Sequence, residues 1–305
     1  TPPPLTGGFH GLRPLNDGNL GLPRPQPPPH PAFLRRSAHR LIREMMCMKG
    51  ILRHAKDSLR GRRGIIAACA LTAAVVAGAV CSPRLVGASA ATRRLPVYCV
   101  QRDNKVCSLT FDAAWGNEDT QQLIDILGRY NVKATFFVVG QWVDKYPESA
   151  RALADAGHEV MNHSNDHAHF TKLSAAEIAA NINACSDKIE AVTGRRPTLF
   201  RAPYGEYDDS VIAAVDGMGI HTIQWDVDSL DWKELSAGEI TQRVLPRVGC
   251  GSIVLFHNAA KHTPEALPGI IEGLIAEGYD IVPVSELLLD GEYTINHEGR
   301  QCPAA

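Results

Sequence analysis

Short apolar runs alternate with helical patterns along residues 96–290. Seven of these runs are four to seven residues long and contain β-branched residues, which is typical of buried strands. We therefore predict strands at Val106–Phe111, Lys133–Val139, His158–Asn162, Thr198–Arg201, Thr222–Val227, Ser252–Phe256 and Tyr279–Val284.

Helix start signals lie between these runs. Ser174–Glu177 and Ser236–Glu239 both have the sequence of a capping box, in which a serine and a glutamate three residues later satisfy each other's backbone N–H groups. Thr263 precedes a proline and an apolar-periodic run, which predicts a helix capped by Thr263 with Pro264 at its first position. Another helix is predicted to begin within residues 117–120.

This alternation predicts an α/β fold with a parallel sheet and helices packed outside it. Seven strand–helix units favour a distorted (β/α)7 barrel with parallel strands, and an open doubly wound sheet is the alternative. The pattern predicts one domain over residues 96–290, followed by a tail over residues 291–305.

The amino-terminal part is of a different kind. Residues 1–63 form a Pro-rich and then basic head, for which we predict disorder, and residues 64–82 are uncharged and apolar. A basic region, an apolar region and then small residues within the linker 83–95 indicate a secretory signal peptide. The apolar segment is also long enough for a single-pass membrane anchor, so its retention is the alternative. We expect translation to begin near Met45–Met48, which would leave residues 1–44 untranslated.

Charge and cysteine content exclude two classes of function. Residues 95–305 contain 16 Lys and Arg against 30 Asp and Glu, a net charge of −14, so nucleic-acid binding is not expected. The five cysteines in this part are widely spaced and form no Cys-x-x-Cys pair, which argues against a zinc–thiolate site.

Ionisable side chains follow five of the predicted strands. Because parallel strands end at one edge of a barrel, where such folds build their sites, we expect these side chains to share a cavity. In chain order they are Asp112, His163, His167, Arg201, Asp226, Asp228, Asp231 and His257.

These residue types suit particular chemical roles. If a helix starts at His163, then His163 and His167 lie four residues apart on one face and suit a single metal ion. Asp112 either caps the next helix or acts as a general base, with Arg201 holding its pKa low.

His257 ends a buried strand and suits the role of general acid if a carboxylate raises its pKa. Asp228 and Asp231 are both candidates for that carboxylate. We favour Asp231 because it precedes Trp232.

Five motifs in this order resemble the polysaccharide deacetylases of the NodB-homology family, carbohydrate esterase family 4. The resemblance extends over about residues 96–289. The motifs are Thr110-Phe111-Asp112, the His-Ser-x-x-His sequence of 163–167, Arg201-Ala202-Pro203-Tyr204, Asp228-Ser229-Leu230-Asp231-Trp232 and Leu255-Phe256-His257.

The resemblance implies a role for each motif. Asp112 is the base, His163 and His167 are metal ligands, and Arg201 orients the base. The backbone N–H at Tyr204 serves the oxyanion.

The last two motifs supply the acid and part of the pocket. Asp231 pairs with the catalytic acid, His257, and Trp232 forms part of the pocket wall. Trp115 and Pro203 are also predicted to bind substrate.

One residue departs from the family pattern. The family has two consecutive acids in the first motif, the base and then a metal ligand, but Asp112 is followed here by Ala113. This variant is similar to the branch associated with sporulation and peptidoglycan. Three outcomes are therefore open for a divalent metal such as zinc. It binds weakly through the two histidines, it binds with some other acid as the third ligand, or it does not bind and little hydrolysis takes place.

The predicted function is an exported deacetylase, secreted or membrane-anchored. It hydrolyses the N-acetyl amide of amino sugars in peptidoglycan or a related polysaccharide and releases acetate. The alternatives are a non-catalytic glycan-binding wall or spore protein on the same fold, and an amide hydrolase acting on a different N-acyl substrate.

Overall fold

The computed structural model describes residues 93–304. The predictions made for the head, for the apolar segment 64–82 and for most of the linker lie outside the described residues. Within the described part, no helix combines the length and the hydropathy that crossing a bilayer requires.

Eleven strands and eight α-helices make up this part of the chain. The strands are β1 (Cys99–Val100), β2 (Val106–Ala113), β3 (Thr135–Val138), β4 (Glu159–Asn162), β5 (Leu199–Phe200), β6 (His221–Thr222), β7 (Val227–Asp228), β8 (Ser252–His257), β9 (Asp280–Ile281), β10 (Tyr293–Ile295) and β11 (Arg300–Pro303). The helices are α1 (Thr120–Arg129), α2 (Gly140–Lys145), α3 (Pro147–Asp155), α4 (Ala175–Thr193), α5 (Asp209–Asp216), α6 (Ala237–Val244), α7 (Thr263–Ala276) and α8 (Val284–Leu287).

Parallel pairing joins most of the strands into one curved sheet. The order β8-β2-β3-β4-β5-β6 runs across it, and β7 pairs with β8 on the side away from β2. The predicted α/β fold with a parallel barrel-like sheet is therefore confirmed. Each of the seven predicted runs contains strand residues, and the fifth run holds both β6 and β7.

The segment before β2 lies between β6 and β8. Val97 forms a parallel bridge with Ile223, donates its N–H to the carbonyl of Thr222 at 2.9 Å and accepts the N–H of Gln224 at 2.7 Å. The following strand, β1, then pairs antiparallel with β8. Two residues are too few to show a periodicity, so β1 is not visible in the sequence pattern.

The tail also contains regular structure. The strands β10 and β11 form an antiparallel hairpin within residues 291–305, and β11 pairs parallel with β1. The sequence pattern assigned no strand to this segment.

Side chains of β2 alternate between two environments. Leu109, Phe111 and Ala113 belong to the apolar core that the sheet shares with the helices. Thr110 and Asp112 point to the other face, where they meet a buried arginine. This alternation decides which residues of the strand are available to a site.

Two of the three predicted helix caps are confirmed, because Ser174 and Ser236 each form a complete capping box. The third is wrong. Thr263 is the first residue of α7 rather than its cap, and its hydroxyl donates to the carboxylate of Asp231 at 2.7 Å. The hydroxyl of Thr263 is therefore hydrogen-bonded to a residue distant in sequence and does not cap the helix.

Candidate active site

The register of the sheet sets two of the candidate residues side by side. Asp112 on β2 is the direct partner of His257 on β8. At the ladder between β4 and β5, on the same edge of the sheet, the N–H of Arg201 donates to the carbonyl of Asn162 at 2.9 Å, immediately before His163. The strand ends therefore bring the first, second, third and fifth motifs to one rim.

Asp112 and Arg201 form a buried ion pair. Nη1 of Arg201 donates to Oδ1 of Asp112 at 2.7 Å and to the hydroxyl of Thr110 at 2.9 Å, while Nη2 donates to the carbonyl of Gln224 at 3.1 Å. The guanidinium is fully buried and lies over the ring of Phe137, 4.1 Å from its centroid. Arginine in this position fixes the orientation of the carboxylate and leaves Oδ2 free to face the cavity.

The charges around Asp112 keep it ionised. Burial alone raises the pKa of a carboxyl group, but the positive charge of Arg201 opposes it, and the net effect is a pKa below the ordinary value of 3.8. Asp112 is therefore a carboxylate at neutral pH, as a general base must be.

The two histidines of the second motif lie on a turn, so the condition considered above, a helix starting at His163, is not met. Ser164 and His167 both have left-handed backbone, with φ of 72° and 57°. The side-chain oxygen of Asn162 accepts the N–H of Ser164 at 2.8 Å, and the hydroxyl of Ser164 accepts the N–H of His167 at 2.9 Å. These bonds hold a tight turn that still brings the two imidazoles to a centroid distance of 5.1 Å.

Both imidazoles are neutral at pH 7. Burial lowers the pKa of His163, and burial together with the neighbouring His163 lowers the pKa of His167 to about 4. Nδ1 of His163 donates to the carbonyl of Arg201 at 2.8 Å, so Nε2 keeps its lone pair, 3.6 Å from Oδ2 of Asp112. Among the described residues, the buried Nδ1 of His167 has no hydrogen-bond partner.

His257 has its own carboxylate. Nδ1 of His257 lies 2.8 Å from Oδ1 of the buried Asp231, whose Oδ2 accepts the backbone N–H of His257 at 2.8 Å and the hydroxyl of Thr263 at 2.7 Å. Burial disfavours the charged imidazole, but the bond to Asp231 and its negative charge outweigh that effect and raise the pKa of His257 above 6.5. Of the two carboxylates considered from the sequence, it is Asp231 that holds the ring.

Asp228 instead faces the cavity. Its Oδ1 accepts the N–H of Leu230 at 2.9 Å, within the fourth motif. Asp226, expected at the same rim, accepts the hydroxyl of Ser252 and the N–H of Ile253 at the amino-terminal start of β8. That expectation was wrong because the chain between β6 and β7 breaks the strand, so Asp226 lies before β7 and not after it.

These groups line a cavity of 460 Å³. Asp112, His163, His167 and His257 supply its ionisable wall, and its remaining wall is largely aromatic. The aromatic residues are Trp115, Tyr204, Trp225 and Trp232. Such a mixture of apolar surface and a few converging polar groups is typical of a small-molecule site.

The third motif ends in a strained turn. Tyr204 has φ of 59° in a one-turn 3-10 helix, and its ring packs against the imidazoles of His167 and His169. Pro203 is buried at the first position of that turn and does not line the cavity. The contact of Pro203 with substrate stays a prediction, and the observed place of its ring is at the start of this turn.

A larger cavity, of 510 Å³, lies at the amino-terminal ends of the strands. Its lining includes Tyr130, Ile275 and Tyr279 and contains no histidine. The converging ionisable groups, and not the volume, therefore select the smaller cavity as the site.

The residues present do not fit a three-ligand metal centre. His163 and His167 offer two neutral nitrogens, but the methyl group of Ala113 has no donor atom and packs in the apolar core. Among residues 93–304, no group of three or more His, Cys, Asp or Glu side chains is arranged to hold a metal ion. Protein zinc sites normally use at least three protein ligands.

Comparison with known proteins agrees with this geometry. The family model described as Polysaccharide deacetylase matches residues 100–223. The peptidoglycan-N-acetylmuramic acid deacetylase PdaC of Bacillus subtilis is 39% identical over 188 residues, which cover 62% of this chain and 40% of PdaC. The peptidoglycan-N-acetylglucosamine deacetylase PgdA of Listeria monocytogenes is 37% identical over 194 residues, covering 64% of this chain and 41% of PgdA. This chain therefore spans less than half the length of both relatives.

Solved structures share the fold. The crystal structure of BA3943 from Bacillus anthracis, described as a CE4 family pseudoenzyme, aligns with a TM-score of 0.62 and 34% identity over 68% of this chain and 73% of that one. A mutant of the same protein is described as having restored enzymatic activity. The structure of PdaC aligns with a TM-score of 0.56 and 39% identity, covering 62% of this chain and 92% of that one.

Proposed function

This chain belongs to the polysaccharide deacetylase family, carbohydrate esterase family 4, and from that premise we propose that it is an exported enzyme that hydrolyses the N-acetyl amide of amino sugars in cell-wall peptidoglycan. One observation carries the proposal. A carboxylate held ionised by Arg201 and an imidazole whose pKa is raised by Asp231 are register partners that face one cavity.

The first half of the reaction uses Asp112. Its Oδ2 and Nε2 of His163 lie 3.6 Å apart, so one water molecule can donate a hydrogen bond to each. As the water oxygen adds to the amide carbon, Asp112 takes the proton. The oxyanion that forms is stabilised by the backbone N–H at Tyr204.

The second half uses His257. Asp231 occupies Nδ1, so Nε2 is the nitrogen presented to the cavity, and in the protonated imidazole it carries the proton that is donated. Transfer of this proton to the amide nitrogen allows the C–N bond to break. The products are acetate and the free amino sugar, and His257 and Asp112 regain their starting states when the proton returns through solvent.

Deacetylases of this family are generally metal-dependent, and the donor set described above lacks the third ligand of such a centre. None of the steps proposed here is assigned to a metal. In the proposed mechanism, Nε2 of His163 orients the water molecule beside Asp112.

The pH profile tests the pairing of His257 with Asp231. The acid is active when protonated and the base when deprotonated, so kcat/KM falls as pH rises through the raised pKa of His257 and as pH falls through the lowered pKa of Asp112. In D231N the imidazole loses its negative partner, its pKa drops, and the alkaline limb moves to lower pH. We expect kcat/KM at pH 8 to fall by about 10²-fold or more.

The control is D228N, which removes a carboxylate from the cavity without touching Nδ1 of His257. Its alkaline limb should move less than that of D231N. An unchanged alkaline limb in D231N would show that His257 is not the acid.

Replacement of Ala113 tests the part played by metal. Wild-type acetate release is expected to be little affected by EDTA or added zinc, because two histidines bind zinc weakly. A113D restores the second acid of the family's first motif at the last residue of β2, where the charged side chain must leave the core face to join the two histidines. Zinc affinity measured by calorimetry should then rise about 100-fold or more. The matched control is A113D combined with H167A, in which the gain should disappear.

The same experiment separates a second candidate function, a non-catalytic glycan-binding wall protein. Ala113 and the similarity to a structure described as a pseudoenzyme favour that alternative. Wild-type protein that binds glycan without releasing acetate, together with zinc-dependent turnover in A113D, would establish it in place of the enzyme.

A further inference from the structure

The turn at residues 203–205 carries the N–H group that stabilises the oxyanion in the proposed mechanism. Two hydrogen bonds close this turn, from the N–H of Gly205 to the carbonyl of Ala202 and from the N–H of Glu206 to the carbonyl of Pro203, both at 3.1 Å. These closing bonds leave the N–H of Tyr204 unused. Its direction therefore depends on whatever holds the turn in place.

The turn needs support from outside because two neighbouring residues have left-handed backbone. The φ angles are 59° at Tyr204 and 67° at Gly205. A residue other than glycine keeps such a conformation only where its surroundings hold it. The ring of Tyr204 packs against two imidazoles, but it is 57% exposed, so this packing restrains the side chain from one side only.

Gln224 supplies a bond to the backbone of the turn. This residue lies between β6 and β7, is 1% exposed, and its Nε2 donates to the carbonyl of Gly205 at 3.1 Å. The turn approaches this closely because it has a glycine there, since a Cβ on Gly205 would lie 3.0 Å from Cη2 of Trp225. One buried amide therefore fixes the carbonyl next to the N–H that matters.

The backbone of Gln224 is itself held at both ends. Its N–H donates to the carbonyl of Val97 at 2.7 Å, and its carbonyl accepts a hydrogen bond from Nη2 of Arg201 at 3.1 Å. Nη1 of the same arginine donates to Asp112 at 2.7 Å. Gln224 therefore connects the oxyanion turn to the arginine that orients the base.

We propose that Gln224 is a positioning residue, whose side-chain amide holds the turn 203–205 so that the N–H of Tyr204 points at the developing oxyanion. This inference rests on the proposed deacetylase function. Gln224 is buried outside the lining of the 460 Å³ cavity, so it acts through the turn and not by touching substrate. A donor aimed at the oxyanion acts mainly in the transition state, so its displacement lowers kcat more than it raises KM.

The test replaces Gln224 with methionine, which keeps the length of the side chain and removes the amide, while the carbonyl that accepts from Arg201 remains. In the full-length chain, kcat for acetate release from N-acetylglucosamine oligomers should fall about tenfold or more, and KM should change by less than about threefold. The methylphosphonamidate analogue of the substrate is a tetrahedral, anionic mimic of the transition state. Its inhibition constant should rise by the factor by which kcat/KM falls.

The matched control is Q301M. Gln301 is also 1% exposed and bonded to a backbone group, because its Oε1 accepts the N–H of Leu289 at 2.8 Å, but it lies on β11 in the tail. Q301M should lose thermal stability and keep the wild-type kcat, KM and inhibition constant. Equal losses of kcat in Q224M and Q301M, or an unchanged inhibition constant in a folded Q224M, would overturn the role of Gln224. Q224L, with a smaller side chain, takes the place of Q224M if the latter does not fold.

Failure of the proposed function gives a different result. If the wild type releases no acetate, the deacetylase proposal fails, and amide hydrogen exchange of the segment 203–206, measured by mass spectrometry, decides the role of Gln224. Exchange should be about tenfold faster in Q224M than in the wild type, because the bonds that close the turn open more often, and unchanged in Q301M. Equal exchange in all three proteins would contradict the inference.

Discussion

Replacing Asp112 with asparagine is expected to lower kcat for acetate release by about 10³-fold, within the range observed for loss of a general base. Asparagine has the same shape and its carbonyl oxygen still accepts a hydrogen bond from Arg201, but it cannot take a proton from water. The measurement is acetate released per unit time from N-acetylglucosamine oligomers, at a temperature well below the thermal midpoint of each variant.

A matched change in the same cavity controls for charge and polarity. Asp228 also lines the cavity, and D228N makes the identical chemical exchange there. We expect D228N to lose less than tenfold in kcat. If D112N keeps more than a tenth of the wild-type rate, Asp112 is not the base.

Replacing Arg201 with methionine is expected to cost about 3–5 kcal/mol in the free energy of unfolding, because it leaves the carboxylate of Asp112 buried without its partner. The thermal midpoint and urea unfolding of R201M measure this loss. Methionine keeps much of the apolar volume over the ring of Phe137, so lost packing contributes little.

The control is the double variant R201M/D112N, in which neither charge remains. Its loss of stability should be clearly smaller than the sum of the two single losses, because the uncompensated charge is gone. Additive losses, or a loss below 1 kcal/mol in R201M, would contradict a desolvated ion pair at this position.

The sequence pattern predicts the barrel because its long strands are segments rich in apolar and β-branched residues. β2 and β8 are eight and six residues long and almost wholly buried, and both were located within two residues of their observed ends. The short strands β1, β10 and β11 were not found, since their stability comes from pairing partners distant in the chain and leaves no local periodicity.

The candidate residues of the site were found for a related reason. Parallel strands end at one edge, so strand-end position alone groups Asp112, His163, Arg201 and His257. Local geometry was less predictable. The turn at His167 depends on side-chain bonds from Asn162 and Ser164, and the displacement of Asp226 depends on a break between β6 and β7.

The structural role of Asn258 was not predicted from the sequence. Its side-chain amide donates to the carbonyls of Trp115 and Gly116. The motif ending at His257 gave no reason to examine the next residue, and an asparagine after a strand is ordinarily taken as a turn former. The only signal was its adjacency to the acid, since its contacts with Trp115 and Gly116 are made across more than 140 positions of sequence.

The most direct measurement is acetate release by the full-length wild-type chain from purified peptidoglycan, assayed in EDTA and again with zinc. Our interpretation of the cavity predicts release in both conditions at similar rates. Tight binding to peptidoglycan with no acetate in either condition would contradict it, because the paired carboxylate and imidazole would then share a cavity without performing the chemistry for which they are placed.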